Sequence, residues 1–282
     1  MHSGQAQDLP LQAGFNHTMS RITVDLSGNV AFVTGAGSGI GRGLAWQLAA
    51  DGAAVAVTDV DGGSAAAVAA EIAEFGGRAV SYRVDVTDPA EIEAAVAGAQ
   101  AALGPIDFLF ANAGALGPAE YLSITPEDWD QVLDVNVKGV ALTCRAVVPQ
   151  MMERRQGRIL ITASTNAARA GTHVIPYRVS KAAIVMYIRC LALELAPYRI
   201  TVNALCPGVT LTPMQLDYAV RVAAERNISV DTYLTTRAAQ IPMQEFTTID
   251  DVTGLAEFLV SDSARLITGQ AIAPDGGVMI SS

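Results

Sequence analysis

The chain has 282 residues, of which 51% are hydrophobic and 16% are charged, and its formal net charge is −10. This composition is typical of a globular protein with one large α/β domain or two small ones. The negative charge argues against nucleic acid or an anionic membrane as a partner, because both repel an acidic surface. No run of about 18 uncharged apolar residues is present, so the sequence predicts no membrane span.

The N-terminal residues differ from the rest of the chain. They lack the basic region and the apolar region of a secretory signal, and Met19 is a second possible start. We therefore expect residues 1–24 to be a flexible extension. Residues 25–282 contain no internal repeat, low-complexity tract or linker, which favours a single domain.

The cysteines and histidines show no metal-ligand spacing. Cys144, Cys190 and Cys206 lie in apolar contexts without a CxxC pair, which predicts three buried free thiols in a reducing, cytoplasmic compartment. His2 and His17 lie in the predicted extension. We therefore expect neither a metal site nor a catalytic triad built on histidine.

Short apolar runs alternate with longer alanine-rich stretches along the chain. The predicted strands are Val30–Thr34, Ala54–Thr58, Ala79–Val84, Ile106–Phe110, Arg158–Ile161, Ile200–Leu205 and Ala271–Pro274. The predicted helices are Ile40–Ala50, Ser64–Phe75, Ala90–Leu103, Trp129–Glu153, Pro176–Leu195 and Ile249–Val260. This alternation predicts an α/β fold with a parallel sheet, and the apolar strands predict helices on both of its faces. Residues 209–247 are less periodic.

A glycine-rich loop, TGAGSGIG at Thr34–Gly41, joins the first strand to the first helix. Glycines let the backbone approach a diphosphate, and the helix N-terminus supplies N–H donors and the positive end of a dipole. The spacing is GxxxGxG, not GxGxxG, and a tight turn without a ligand is the alternative. The strand-loop-helix context favours dinucleotide binding.

Two aspartates end the next two predicted strands. A carboxylate at Asp59 accepts hydrogen bonds from an adenosine ribose and repels a 2′-phosphate. No Arg or Lys follows it, only Val60 and Asp61, so the sequence favours NAD over NADP, with a helix-capping role as the alternative. Asp85 is placed to contact the adenine amino group, or to form a turn with Thr87.

Tyr177 and Lys181 are four residues apart in a predicted helix and share one face. A phenol loses its proton near pH 10, and a neighbouring ammonium lowers that pKa. The pair is therefore suited to give or take a proton at a substrate oxygen. Pairs with this spacing also occur by chance, so the other motifs decide the interpretation.

In order and spacing these motifs resemble the NAD-binding branch of the short-chain dehydrogenase/reductase family, over about residues 25–280. The matching segments are Thr34–Gly41, Ala111–Gly114, Asn136, Ser164, the YxxxK pair Tyr177 and Lys181, Pro207–Gly208 with Thr212, Ile267–Gln270 and Asp275–Gly277. Ala111 replaces the usual first Asn of its segment. The resemblance implies a Rossmann-type doubly wound sheet in a single domain.

The resemblance also implies a catalytic tetrad. Tyr177 would be the acid/base, and Lys181 would lower its pKa and hold the nicotinamide ribose. Ser164 would donate a hydrogen bond to the substrate oxygen, and Asn136 would hold a water that connects the proton to bulk solvent. A strand-end cap for Ser164 and a buried helix amide for Asn136 are the structural alternatives.

The remaining implied contacts are with cofactor and substrate. The residues implied to bind NAD are Gly35, Ser38, Gly39, Ile40, Gly41, Asp59, Asp85, Val86, Asn112, Ala113, Gly114, Tyr177, Lys181, Pro207, Gly208, Val209 and Thr212. The residues implied to bind substrate are Ser164, Tyr177, Gly208 and Met214. Residues 209–247 form the expected specificity lobe. His173 should edge the pocket, and we expect Arg169 and Arg178 to be surface or interface charges.

The lobe resembles that of polyol and diol dehydrogenases, with Thr212–Gln215 followed by a helical stretch. The predicted function is NAD-dependent hydride transfer between a secondary alcohol and a ketone. A 3-oxoacyl-thioester reductase and a non-catalytic dinucleotide-binding regulator are the alternatives. By resemblance, the protein forms a homotetramer through helices Trp129–Glu153 and Pro176–Leu195.

Overall fold

The computed structural model describes residues 24–281. The predicted extension, residues 1–24, lies outside the described residues except for Val24, which packs against one of the two main cores. The flexibility of the extension and the domain boundary beside it therefore stay predictions.

Seven strands form one sheet in the order β3-β2-β1-β4-β5-β6-β7, and all of their pairings are parallel. The order changes direction between β1 and β4, and such a point opens a crevice at the carboxyl ends of the strands. The predicted doubly wound α/β fold is confirmed. The strands are β1 (Val30–Thr34), β2 (Ala54–Asp59), β3 (Ala79–Arg83), β4 (Phe108–Ala111), β5 (Gly157–Thr162), β6 (Ile200–Leu205) and β7 (Ala271–Ile272).

The helices of the described residues connect these strands and cover both faces of the sheet. They are α1 (Gly39–Ala50), α2 (Gly62–Glu74), α3 (Pro89–Leu103), α4 (Pro126–Leu133), α5 (Val140–Arg154), α6 (Ile175–Leu195), α7 (Pro213–Glu225), α8 (Val230–Ala239) and α9 (Ile249–Val260). None of them is long and apolar enough to cross a bilayer.

The strands are apolar throughout because alternate side chains enter two different cores. In β1, Val30 and Phe32 face the core built with α3, α5 and α6. Ala31 and Val33 face the opposite core, which is built with α1, α2 and α9. This double burial holds the carboxyl ends of the strands, and therefore the site, on a rigid base.

The single helix predicted at Trp129–Glu153 is wrong in two respects. It begins earlier, at Pro126, where Thr125 and Asp128 form a capping box. It is also interrupted by a π-helical segment, Asp134–Gly139, which separates α4 from α5. Such segments widen one turn of a helix and are frequent at functional sites. Asn136 lies inside this segment.

The lobe at residues 209–247 contains two helices, α7 and α8, where the sequence predicted one helical stretch after Thr212–Gln215. Thr212 caps α7 by accepting a hydrogen bond from the backbone of Gln215, and α8 follows after a short turn. The α7–α8 hairpin buries a narrow face of four residues: Ala219, Val222, Ala223 and Tyr233. A face this small leaves little hydrophobic repeat in the sequence.

The three thiols are free, but they are not all buried as predicted. Cys144 and Cys206 are buried, whereas Cys190 is exposed on α6. Its apolar sequence context comes from a stripe of exposed side chains on the same helix, which contains Val179, Met186 and Leu193.

Candidate active site

A cleft of about 1030 Å³ opens at the carboxyl edge of the sheet. Five strands that are neighbours in the sheet each contribute a residue to the cleft, at or just beyond the end of the strand. These residues are Gly35 after β1, Asp59 at the end of β2, Asn112 after β4, Ser164 after β5 and Pro207 after β6. The cleft therefore lies at the switch point where open α/β sheets bind ligands.

All but two of the predicted site residues line this cleft. Gly41 does not line the cleft. A Cβ atom at this position would lie 2.0 Å from the carbonyl oxygen of Gly35, so the glycine allows the helix to pack closely on the loop. Asn136 is fully buried behind the cleft wall. Met214 lines the cleft and is 42% exposed, which places it at the mouth.

The glycine loop leaves the first turn of α1 open toward the cleft. Gly35 and Gly39 have φ values of +62° and +54°, a region that side chains other than glycine rarely adopt. Ser38 occupies the N-cap position, but its side chain makes no capping hydrogen bond. The first N–H groups of α1 are therefore available to a ligand oxygen, and the loop fits a dinucleotide diphosphate.

Asp59 supports the loop from below. Its two oxygens accept hydrogen bonds from the backbone N–H groups of Gly37 and Asp61, at 2.9 and 3.0 Å. Each oxygen has a second lone pair, and the carboxylate lines the cleft. Arg83 lies beside Asp59 in the β2–β3 pairing, but it forms an ion pair with Glu91 at 2.5 Å.

Asp85 makes the turn that was one of its two predicted roles. Its Oδ1 accepts hydrogen bonds from the backbone N–H and the hydroxyl of Thr87, at 2.9 and 2.7 Å. These bonds hold the pKa of the Asp85 carboxyl below its ordinary value. Asp85 also lines the cleft, so the turn presents it to the adenine end of the expected ligand.

Two threonines, Thr34 at the start of the glycine loop and Thr162, which the sequence did not single out, join three strands beneath the site. The Thr34 hydroxyl accepts hydrogen bonds from the backbone N–H groups of Asn112 and Ala113, at 3.0 and 3.1 Å. The Thr162 hydroxyl donates to Asn112 Oδ1 at 2.9 Å. Their signal in the sequence is a hydroxyl residue at the last position of an apolar strand.

The polar atoms of the Asn136 side chain form hydrogen bonds with other groups of the protein. Its Oδ1 accepts from the backbone N–H of Ala115 at 2.7 Å, and its Nδ2 donates to the carbonyl of Ala115 at 2.8 Å. Nδ2 also donates to the Ser180 hydroxyl at 2.9 Å, and that hydroxyl donates to the carbonyl of Tyr177 at 2.7 Å. The Asn136 side chain therefore holds the loop and helix that flank the cleft.

Lys181 is almost fully buried, at 3% exposure. Its ammonium donates to the carbonyl of Thr162 at 2.7 Å and lies 5.5 Å from the centroid of the Tyr177 ring. Burial lowers the pKa of Lys181 to about 8, and the neighbouring Cys206 thiol opposes this effect. A single protein acceptor leaves donors of the ammonium available to a ligand.

The hydroxyl of Tyr177 does not have the lowered pKa that the pair with Lys181 suggested. Burial raises its pKa, and the Ser164 side chain and the charge of Arg178 offset only part of this effect. The Ser164 hydroxyl also accepts a hydrogen bond from the backbone of Asn166 at 3.1 Å, which orients it.

Arg169 and Arg178 line the cleft together with His173. Both arginines are partly exposed, and the surface on which they lie is the wall of the cleft. Within residues 24–281, no cluster of His, Cys, Asp and Glu side chains has the geometry to hold a metal ion.

Comparison with known proteins gives consistent matches over most of the chain. A family profile described as enoyl-(acyl carrier protein) reductase matches residues 35–279. The chain is 36% identical to 2,3-dihydro-2,3-dihydroxybenzoate dehydrogenase of Bacillus subtilis (strain 168), over 90% of this chain and 97% of that protein.

Two solved structures are similar as well. Actinorhodin polyketide ketoreductase with NADPH has a TM-score of 0.87 and 33% identity, over 90% of this chain and 98% of that one. A 3-ketoacyl-(acyl-carrier-protein) reductase from Brucella melitensis complexed with NADH has a TM-score of 0.80 and 35% identity, over 90% and 100% of the two chains.

The chain belongs to the short-chain dehydrogenase/reductase family. It is an oxidoreductase of the kind that binds a nicotinamide dinucleotide, and the glycine loop and the acceptors around it fit that ligand. The cofactors of the two solved neighbours differ in the 2′-phosphate. The choice between NAD and NADP must therefore be argued from this chain's own residues.

Proposed function

We propose that the protein is an NAD-dependent dehydrogenase that interconverts a secondary alcohol and a ketone. The observation that carries the proposal is that Ser164, Tyr177 and Lys181 line one cleft together with the open N-terminus of α1. Two hydroxyl groups that line the same cleft can bind one substrate oxygen while one of them transfers its proton.

In the direction of ketone reduction, Tyr177 donates its proton to the substrate oxygen, and Ser164 stabilises the charge that develops there. In alcohol oxidation, Tyr177 accepts the proton of the hydroxyl. The bound nicotinamide cofactor supplies the hydride chemistry that protein side chains lack. The raised pKa of Tyr177 keeps its hydroxyl protonated at neutral pH, which suits reduction, and makes oxidation faster at alkaline pH.

We propose that Lys181 and Asn136 act in different ways. The remaining N–H donors of the Lys181 ammonium bind the nicotinamide ribose, since Thr162 takes only one of them. Asn136 is a positioning residue, because its side chain holds Ala115 and Ser180. A water route for the proton, which the family resemblance implies, would have to use other atoms than this side-chain amide.

NAD is the proposed cofactor, rather than NADP. Asp59 presents a carboxylate where the adenosine ribose of a dinucleotide lies, and this charge repels a 2′-phosphate. The nearest cation on the neighbouring strand, Arg83, is held by Glu91. A phosphate at this place would therefore meet a negative charge without a positive one to offset it.

The proposed substrate is a small secondary alcohol, diol or polyol, or the corresponding ketone. A relative that acts on a dihydrodiol, as its name states, shares 36% identity with this chain. The alternative is a 3-oxoacyl-thioester reductase, which the similarity to the reductase from Brucella melitensis favours. A non-catalytic role does not account for the meeting of Ser164, Tyr177 and Lys181.

We also propose a cytoplasmic homotetramer. Val179, Met186 and Leu193 recur every seven residues on α6 and are 45%, 57% and 79% exposed. An exposed apolar stripe on a long helix is typical of a subunit interface. The free thiols are consistent with a reducing compartment.

The experiment that tests the proposed function is a screen of NAD⁺ reduction over secondary alcohols, diols, polyols and hydroxy acids at alkaline pH. NADP⁺ in place of NAD⁺ and 3-oxoacyl thioesters with NADH or NADPH are run in parallel. Turnover of an alcohol with NAD⁺ supports the proposal. Exclusive turnover of thioesters supports the alternative, and inactivity on every substrate class argues against both.

A further inference from the structure

The part of the cleft next to the α7–α8 hairpin carries a group of arginines. Arg169 precedes α6 and Arg178 lies in its first turn, whereas Arg226 and Arg237 belong to the hairpin region. Arg169, Arg178 and Arg237 are partly buried, and Arg226 is exposed at the rim. Two separate parts of the chain therefore bring four positive charges to one pocket.

These cleft arginines form no ion pair with a carboxylate of the described residues. Arg178 donates to the backbone carbonyls of His173 and Arg169, at 3.0 and 2.8 Å. Arg237 donates to the side-chain oxygen of Gln240 at 2.8 Å. Four other arginines of the described chain do pair with acids: Arg42 with Glu71, Arg83 with Glu91, Arg154 with Asp107 and Arg158 with Asp262.

The charges of the cluster act on one another and on the reacting end of the cleft. Burial and then repulsion from Arg169 and Arg237 lower the pKa of Arg178. Arg178 also interacts electrostatically with the hydroxyls of Tyr177 and Tyr218. The positive region therefore reaches from the hairpin to the candidate reacting hydroxyl, and an anion placed within it would relieve the repulsion.

The two ends of the cleft have opposite charge. Asp59 and Asp85 line the adenosine end, and Asp134, another lining residue, pairs with Lys138 at 3.3 Å. The whole chain carries a formal charge of −10. A positive pocket in an acidic protein attracts small anions to that pocket.

We propose that the substrate carries a carboxylate or phosphate group besides its reacting hydroxyl or ketone, and that Arg169 and Arg237 bind this group. The inference rests on the proposed function and narrows its substrate from neutral polyols to oxyanions. The planar guanidinium presents two donors that match two oxygens of either group. Arg178 positions the His173–Arg169 segment through its two carbonyl bonds and adds its charge.

Matched pairs of probes test the inference. They are 3-hydroxybutyrate with its methyl ester, and glycerol 3-phosphate with glycerol, each as a substrate for NAD⁺ reduction. We expect kcat/KM to be on the order of ten- to hundredfold higher for the charged member of at least one pair. The pair that shows the preference distinguishes carboxylate from phosphate. Equal kcat/KM within both pairs overturns the inference.

Variants of Arg169 and Arg237 test whether these two residues cause the preference for the charged probe. Arg169→Gln and Arg237→Gln should each raise KM for the charged probe about tenfold or more, with little change in turnover of the uncharged one. Arg265→Gln is the matched control, because Arg265 is exposed, outside the cleft lining, and without an ion pair among the described residues. Equal losses of kcat/KM for the charged and the uncharged probe would mean that the arginines have a structural role, which contradicts the inference.

A binding measurement separates this inference from the proposed function. Calorimetry with butyrate and with glycerol 3-phosphate is carried out with NAD⁺ present, so that the glycine loop is occupied. Binding that the Arg169→Gln/Arg237→Gln double variant loses supports the anion site even when no probe is oxidised. Absence of binding to the wild type, or binding that survives in the double variant, overturns it.

Discussion

The side-chain amide of Asn136 holds both the backbone N–H and the carbonyl of Ala115, at 2.7 and 2.8 Å. This pair ties the π-helical segment between α4 and α5 to the loop after β4. A third bond, to the hydroxyl of Ser180, extends the connection to the helix that carries Tyr177. The amide therefore joins three elements around the cleft at one fully buried point.

Replacement of Asn136 should affect both stability and catalysis. Asn136→Ala removes three hydrogen bonds and leaves the partly buried backbone groups of Ala115 without their side-chain partner, so we expect a loss of about 2 to 4 kcal/mol in the free energy of unfolding. Ser180→Ala is the control, because it removes only the hydroxyl that accepts from Asn136 and leaves the two hydrogen bonds between Asn136 and Ala115 in place. Denaturant melts and kcat/KM measure the two effects, and an Asn136→Ala protein as stable as the control contradicts the role.

Tyr177→Phe should abolish turnover and leave NADH binding largely unchanged, because only the proton-transferring hydroxyl is removed. We expect a loss of at least about a thousandfold in kcat. Tyr187→Phe is the control on the same helix, outside the cleft lining. NADH fluorescence titration and steady-state kinetics distinguish lost chemistry from lost binding. Retained activity would contradict the role of Tyr177 as the acid/base.

The pH dependence of the wild type follows from the raised pKa of Tyr177. The deprotonated phenol accepts the alcohol proton, so kcat/KM for oxidation should rise with pH into the alkaline range. The protonated phenol donates in reduction, so kcat/KM for the ketone should fall over the same range. Measurements of kcat/KM against pH in both reaction directions check these opposite slopes. Slopes of the same sign in both directions contradict the assigned role of Tyr177.

Asp59→Asn should weaken the preference for NAD while the loop keeps its shape. The amide oxygen still accepts one of the two backbone hydrogen bonds that Asp59 receives from Gly37 and Asp61, but the negative charge is gone. We expect the ratio of kcat/KM for NAD⁺ to that for NADP⁺ to fall about tenfold or more. A wild type that prefers NADP⁺ refutes the proposed role.

Asp51 should make the protein less stable as the pH rises. Burial raises its pKa, and hydrogen bonds with Glu257 and Gln47 oppose the rise. An acid with a raised pKa in the folded state contributes stability at low pH that is lost as the pH increases through that pKa. Asp51→Asn should therefore raise the melting temperature at pH 7 by about 2 to 4 °C, and by less at pH 4. A pH-independent difference contradicts this account.

The apolar stripe on α6 should control assembly. Met186→Asp or Leu193→Asp places a charge in the proposed interface and should reduce the mass found by light scattering to that of smaller species. Leu266→Asp is the control, because Leu266 is as exposed as Leu193, at 79%, but lies outside α6. A wild-type monomer, or equal effects of the control, contradicts the proposed tetramer.

The fold was predictable from sequence because its signals are local. Continuous apolar strands such as Ala54–Asp59 and the alternation with helices follow from double burial on the sheet. The π-helical segment around Asn136 was not predictable, since a widened helical turn leaves the hydrophobic repeat nearly unchanged. The α7–α8 hairpin was underestimated because its small buried face gives a weak repeat.

By itself the sequence determined the alternation of strands and helices in a parallel α/β fold, the glycine loop, the carboxylate at Asp59 and the spacing of Ser164, Tyr177 and Lys181. These features are set by residue type and by distance along the chain. Only the tertiary structure decided that Asn136 binds Ala115, that burial raises the pKa of Tyr177, and that Arg169 and Arg237 line the same cleft. Burial and the convergence of distant segments depend on how elements pack, which no local pattern records.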